Sequence, residues 1–314
     1  MTFAKIDVAL QAYKKPESLI YTLLTLHRHS AARIDQVFIR DDSGLSDGLA
    51  FLDDPTLRER LAPWVIRASR SSRPSGWGLH LQTANMPIWR TNRPIGWKIK
   101  TALIARLRPD LLWDENDLRY QWAVNQSDKA HLMILHDDML FTGDIVARHM
   151  AAFAQDPKLA IVGPLGQCWR CGHSAICDPG KLMQGARPPH WPLTPHPQKP
   201  EAFPRAYHRD CRINEWCCTI NLDLARELSA EGIYFGNYQD KGDVGAFWLA
   251  EVVRRGHHFA DDFNGGDRAA FYIHAWQGHS GHSVWADQGV GQSSYRVSEI
   301  TDRLWSEFGY RMPA

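Results

Sequence analysis

Short apolar runs and segments of helical spacing alternate through the first half of the chain. Ile6 to Gln11 predicts a strand, and Ala12-Tyr-Lys-Lys-Pro16 predicts the turn after it. From Pro16 to His29, apolar residues at Leu19, Ile20, Leu23, Leu24 and Leu26 predict a helix with a proline in its first turn. Val37 to Arg40 predicts a second strand that ends in Asp41-Asp42-Ser43-Gly44. Helices are then expected over Leu49 to Trp64, with Asp54-Pro55 opening its later part, and over Gly96 to Arg106, where Ile99, Leu103 and Leu107 share a face. Arg67 to Pro94 has no strong period. His131 to Leu135 predicts a buried strand, Asp144 to Asp156 a helix, and Leu159 to Val162 another strand. Strands separated by helices imply βαβ units and a mostly parallel sheet.

Gly163 to Asp210 breaks this rhythm. Seven prolines between Pro188 and Pro204 exclude regular structure there. Regular spacing resumes after Ile213, with a helix expected over Thr219 to Ser229 and another over Val244 to Arg255, ended by Gly256. No internal repeat interrupts the pattern. A single α/β domain with one irregular insertion follows.

Composition narrows the function classes. At 314 residues the chain can bury a sizeable core, and Lys plus Arg (36) nearly cancel Asp plus Glu (35). No general attraction to nucleic acid or to an anionic surface is expected. No apolar stretch is long enough to span a bilayer, and no signal-peptide pattern precedes the first strand, so a cytoplasmic location is expected, with peripheral membrane contact left open. Six cysteines lie in the second half. Cys168, Cys171, Cys177 and Cys211 have the donor chemistry for one structural Zn²⁺, with His173 a competing ligand; the other reading is that they are small buried hydrophobes.

The densest chemistry sits where the strand from His131 runs into His136-Asp137-Asp138. Adjacent carboxylates repel and call for a cation, and acids at the C-terminal end of a strand lie where open α/β sheets bind ligands. Oxygen donors suit Mg²⁺ or Mn²⁺, which commonly bridge phosphates. A solvated strand end followed by a helix cap is the plainer reading. Asp41-Asp42-Ser43-Gly44 is likewise either a ligand-facing strand end or turn chemistry.

The order of these features resembles the GT-A glycosyltransferases, most closely the family 2 group that uses nucleotide-sugar donors. The resemblance is carried by the opening strand, turn and proline-led helix, by Asp41-Asp42-Ser43-Gly44, by His136-Asp137-Asp138, by Asp240-Lys-Gly-Asp243 before a late helix, and by His274-Ala-Trp-Gln-Gly-His-Ser-Gly-His-Ser283. It implies a single Rossmann-like domain over residues 1–314, with a nucleotide-sugar half (1–140) and an acceptor half (141–314) holding the insertion 163–212.

The resemblance also implies residue roles. Asp41 or Asp42 would contact the nucleotide beside Ala12 and Tyr13, and Lys98, Lys100 and Arg93 would assist at the diphosphate or else belong to solvated helix faces. Asp138 would be the firmest ligand of Mn²⁺ or Mg²⁺, with Asp137 on the donor sugar or ribose. His136 stands where the first acid of an Asp-x-Asp pattern often stands and is ligand, spacer or supporting donor. His274, ahead of His279 and His282, would complete the metal site. Asp243, with Asp240 behind it, would be the general base of an inverting transfer from a UDP-sugar to an acceptor hydroxyl, or either would be a helix cap. Trp216, Trp248 and Trp276 are candidates to stack on sugars, Trp248 being better suited to the core. The alternatives are a metal-dependent phosphohydrolase built on the His-Asp-Asp cluster and a non-catalytic, zinc-stapled carbohydrate-binding protein.

Overall fold

The computed structural model describes residues 4–43, 47–70, 94–107, 115–164, 213–236, 244–262, 267–275 and 296–313. Nine strands occur among them: β1 (Ile6–Ala12), β2 (Ile34–Asp41), β3 (Val65–Arg70), β4 (His131–His136), β5 (Met139–Phe141), β6 (Leu159–Gly163), β7 (Cys217–Asn221), β8 (His258–Asp261) and β9 (Tyr272–His274). Seven of these form one sheet in the order β3-β2-β1-β4-β7-β6-β8, and β5 pairs with β9 in a second, two-stranded sheet. Pairing is parallel throughout the large sheet except on both sides of β7. The expected α/β class, a mostly parallel sheet flanked by helices, is therefore present.

The helices are α1 (Pro16–Ser30), α2 (Pro55–Arg60), α3 (Ile95–Leu107), α4 (Gln121–Gln126), α5 (Ile145–Gln155), α6 (Leu222–Ala230), α7 (Ala246–Arg254) and α8 (Val297–Phe308). One core packs α1 and α5 against β1, β2 and β4 through Leu19, Leu23, Val8, Ile39 and Leu135; a second lies on the opposite face around Ile134, Ile220 and Trp248. Leu132, Met133, Ile134 and Leu135 are all fully buried. Each such side chain contributes about 1.5–3 kcal/mol. That packing fixes β4, and β4 in turn fixes the acidic pair at its end.

Three expectations are corrected. Leu49 to Trp64 is not one helix: a 3-10 turn over Ala50–Asp53 gives way to α2, because Asp54 is extended and caps the new helix by accepting from the Thr56 N–H at 3.0 Å. Thr219 to Ser229 is not one helix either. Cys217–Asn221 is extended and pairs with β4 and β6, and Asn221 then caps α6 by accepting from the Leu224 N–H. The unperiodic stretch from Arg67 conceals the end of β3, an edge strand whose side chains are mostly exposed. The face predicted on α3 exists, but Ile99, Leu103 and Leu107 are exposed among the described residues.

Candidate metal centre

The order of the large sheet reverses between β1 and β4: β2 and β3 lie to one side, and later strands to the other. Ligands of open α/β sheets bind at such a point, at the C-terminal ends of the strands. Ala12, Asp41 and His136 end their strands there, and the Asp42 N–H donates to the Ala12 carbonyl at 3.0 Å.

The turn from β4 into β5 carries Asp137 and Asp138, and α1 holds it with a polar stripe. Ser18 Oγ donates to the Asp137 carbonyl at 2.7 Å. Thr22 Oγ1 donates to the Met139 carbonyl and accepts from the Met139 N–H, and Thr25 Oγ1 accepts from the Phe141 N–H. Ser18, Thr22 and Thr25 fall three or four apart, so they share one helix face. The clamp positions β5, and the antiparallel register of β5 with β9 sets Met139 opposite His274. That pairing delivers His274 to Asp138.

The result is a cluster of two imidazoles and one carboxylate. His274 Nε2 lies 2.9 Å from Asp138 Oδ1, and His136 Nδ1 lies 3.9 Å from the same oxygen. Donor atoms of the three residues lie within 4.8 Å of one another. Trp216 stacks on the His274 ring, with centroids 5.0 Å apart and planes at 23°, and its carbonyl accepts from the His136 N–H. Glu215 Oε1 stands 3.8 Å from His136 Nε2, on the far side of that ring from Asp138. Behind β9, Tyr272 donates to buried Asp262 at 2.5 Å, and buried His149 pairs with Thr219 at 2.9 Å. Two nitrogens and one oxygen converging at a strand end fit a borderline transition cation.

Lys15 completes the centre. Its Nζ lies 2.9 Å from Asp137 Oδ1 and 3.0 Å from Asp138 Oδ2, and all three side chains are buried. The other Asp137 oxygen accepts from the Tyr13 N–H at 3.1 Å, so both oxygens of this residue are engaged within the protein. Burial opposes the charge on Asp138, but Lys15 and then His274 more than offset it and hold its carboxyl well below the usual range. Burial also opposes the Lys15 charge, and Asp137 and Asp138 more than restore it. Asp137 is pushed up, by burial first, with Lys15 countering only in part.

Of the other predicted residues, Asp41 and Asp42 are buried at the end of β2, and both Asp41 oxygens accept from Ser43, from its N–H at 2.9 Å and its Oγ at 2.8 Å. Tyr13 is half-buried and carries Lys14 over its ring. Lys98 and Lys100 lie on α3, the latter exposed. Trp248 is core. Asp240, Asp243, Arg93, Cys168, Cys171, His173, Cys177, Cys211, Trp276, His279 and His282 lie outside the described residues. Cys217 and Cys218 are free and buried, and burial pushes both thiols up.

Sequence reading missed Lys15, Glu215 and the Trp216 stack on His274. Lys15 did leave a signal: it is the N-cap of α1, where Ser, Thr, Asp or Asn is usual and where the helix dipole disfavours a cation. A lysine there implies an acidic partner. Nothing comparable marks Glu215, which depends on the turn into β7.

Fold and site together define an α/β protein with a metal-ready His-Asp-His cluster at its sheet's topological switch point. No family model and no curated protein sequence matches the chain. Among solved structures, it is similar to the mannosyltransferase PcManGT from Pyrobaculum calidifontis in complex with GDP-Man and Mn²⁺, with a TM-score of 0.45 and 10% identity, over 83% of this chain and 55% of that one. It is also similar to core-mannan synthase A from Aspergillus fumigatus in an Mn/GDP form, with a TM-score of 0.42 and 9% identity, over 88% of this chain and 76% of that one. A third similar structure is S. aureus TarS, with a TM-score of 0.40 and 10% identity, over 85% of this chain and 59% of that one.

Proposed function

We propose that this chain is a metal-dependent glycosyltransferase that moves a sugar from a nucleotide-diphosphate sugar to an acceptor hydroxyl with inversion. The observation that carries the reading is the convergence of His136, Asp138 and His274 beside the ends of β1 and β4. These three residues would hold Mn²⁺ or Mg²⁺. When bound, the ion neutralises the diphosphate and makes it a better leaving group. Asp41, Asp42, Ala12 and Tyr13 line the nucleotide side, with UDP the first nucleotide to test. Lys98 and Lys100 are the cations assigned to the phosphates. Asp137 supports this side through the Tyr13 backbone and Lys15.

Asp243 is the general base in this reading, and Asp240 its second. The acceptor hydroxyl gives its proton to the carboxylate as its oxygen bonds to the anomeric carbon. The bond from that carbon to the diphosphate breaks, and the nucleoside diphosphate leaves with the electron pair. Insertion 163–212 shapes the acceptor side, and its four cysteines are assigned to a structural Zn²⁺.

The deciding experiment is thermal unfolding with UDP, GDP, ADP, CDP and dTDP, each with and without Mn²⁺. A ligand at a hundred times its dissociation constant adds about 2.7 kcal/mol of stability. Stabilisation by one nucleotide that requires Mn²⁺, disappears in Asp138→Ala and persists in Asp243→Asn is the expected result. Indifference to every nucleotide would remove the transferase reading and favour a phosphohydrolase.

A further inference from the structure

Lys15 is placed where local rules argue against it. It is the N-cap residue of α1, at the end of the helix dipole that repels cations, and its side chain makes no capping hydrogen bond. The ammonium is nevertheless buried, 2.9 Å from one carboxylate and 3.0 Å from the next. The two oxygens of Asp138 thereby face different partners: Oδ2 faces Lys15, and Oδ1 faces the imidazoles of His274 and His136. Asp137 is engaged at both oxygens, by the Tyr13 N–H and by Lys15.

We propose that Lys15 is the specificity-determining residue of the metal centre: by holding Asp138 Oδ2 and Asp137 Oδ1, it leaves one carboxylate oxygen and two imidazole nitrogens for the ion, and so selects a transition cation such as Mn²⁺ over Mg²⁺ and Ca²⁺. This rests on the metal reading above. Mg²⁺ and Ca²⁺ bind through oxygen, and Ca²⁺ commonly takes a carboxylate through both atoms. Imidazole donors favour the later first-row cations. An ammonium beside the pair also compensates part of its negative charge, which weakens any ion held by charge alone. The ions that suffer least are those bound through nitrogen.

The test is calorimetric titration of the full chain with MnCl₂, MgCl₂ and CaCl₂, without nucleotide, on wild type and Lys15→Met. Wild type should bind Mn²⁺ at least tenfold more tightly than Mg²⁺. Lys15→Met releases oxygen donors, so the Mn²⁺-to-Mg²⁺ affinity ratio should fall at least tenfold while binding at the site is retained. Asp137→Asn with Lys15→Met removes one charge of each sign and still frees Asp138 Oδ2; it should show the same fall if the single variant does not fold. Equal affinity of wild type for Mn²⁺ and Mg²⁺, or a ratio within twofold of wild type in a folded variant, would overturn the role of Lys15 and leave the metal site standing. Absence of Mn²⁺ binding to wild type would overturn the site itself, and this inference with it.

Discussion

His131 opens β4 with its ring against Phe153, centroids 4.3 Å apart, and burial holds its imidazole below the ordinary pKa. A group whose folded pKa is lowered costs nothing while neutral in both states. The penalty begins as pH falls below the unfolded value of about 6.5 and is complete below the folded one. Stability should therefore fall as pH drops below about 6.5, and His131→Gln should flatten that slope. His29, lowered by burial and then by Arg28, adds to the same limb, so the slope should shrink without vanishing. Urea midpoints at closely spaced pH values measure it; an unchanged slope in His131→Gln would remove His131 as a cause. At this scale the sequence showed His136, Asp138 and His274 because each ends an apolar run. It hid Glu215 and the stack of Trp216 on His274, which depend on the pairing of β7 with β4.

Asp144 ties three elements together. It caps α5 by accepting from the Ala147 N–H at 3.0 Å, accepts from Ser30 Oγ at the end of α1, and pairs with Arg33 at 2.6 Å. A lost cap alone costs about 1 kcal/mol, and the two further partners should raise the loss in Asp144→Ala to about 2 kcal/mol. Asp144→Asn keeps the cap and should lose less than half as much by chemical denaturation. A loss in Asp144→Ala no larger than in Asp144→Asn would show that the cap contributes nothing. Elements with a strong period were legible: α1, α5, β1 and β4 lie within a few residues of their expected bounds. Those that failed lack a period of their own. Cys217–Asn221 runs without a break into the apolar positions of α6, and the polar faces of β3 lie at the sheet edge. Only long-range pairing distinguishes them.

Across the whole molecule, the reversed direction of β7 has one further effect. Because β7 runs antiparallel to β4 and β6, β6 ends and β7 begins at the rim that carries His136 and Asp138. The Asn214 N–H donates to the Pro164 carbonyl at 2.8 Å, so the chain flanking residues 165–212 is joined at its base. A graft point of this kind should let the length and content of the inserted segment change without shifting any strand register. Replacing 165–212 by a short glycine-containing turn closes a smaller loop at lower entropic cost. The shortened protein should unfold cooperatively and keep its Mn²⁺ affinity, since His136, Asp138 and His274 all lie outside the exchanged piece. Collapse of the fold, or loss of Mn²⁺ binding by calorimetry, would show that the two are interdependent. Survival of both would make the stretch between Pro164 and Ile213 a tool that can be exchanged on one handle.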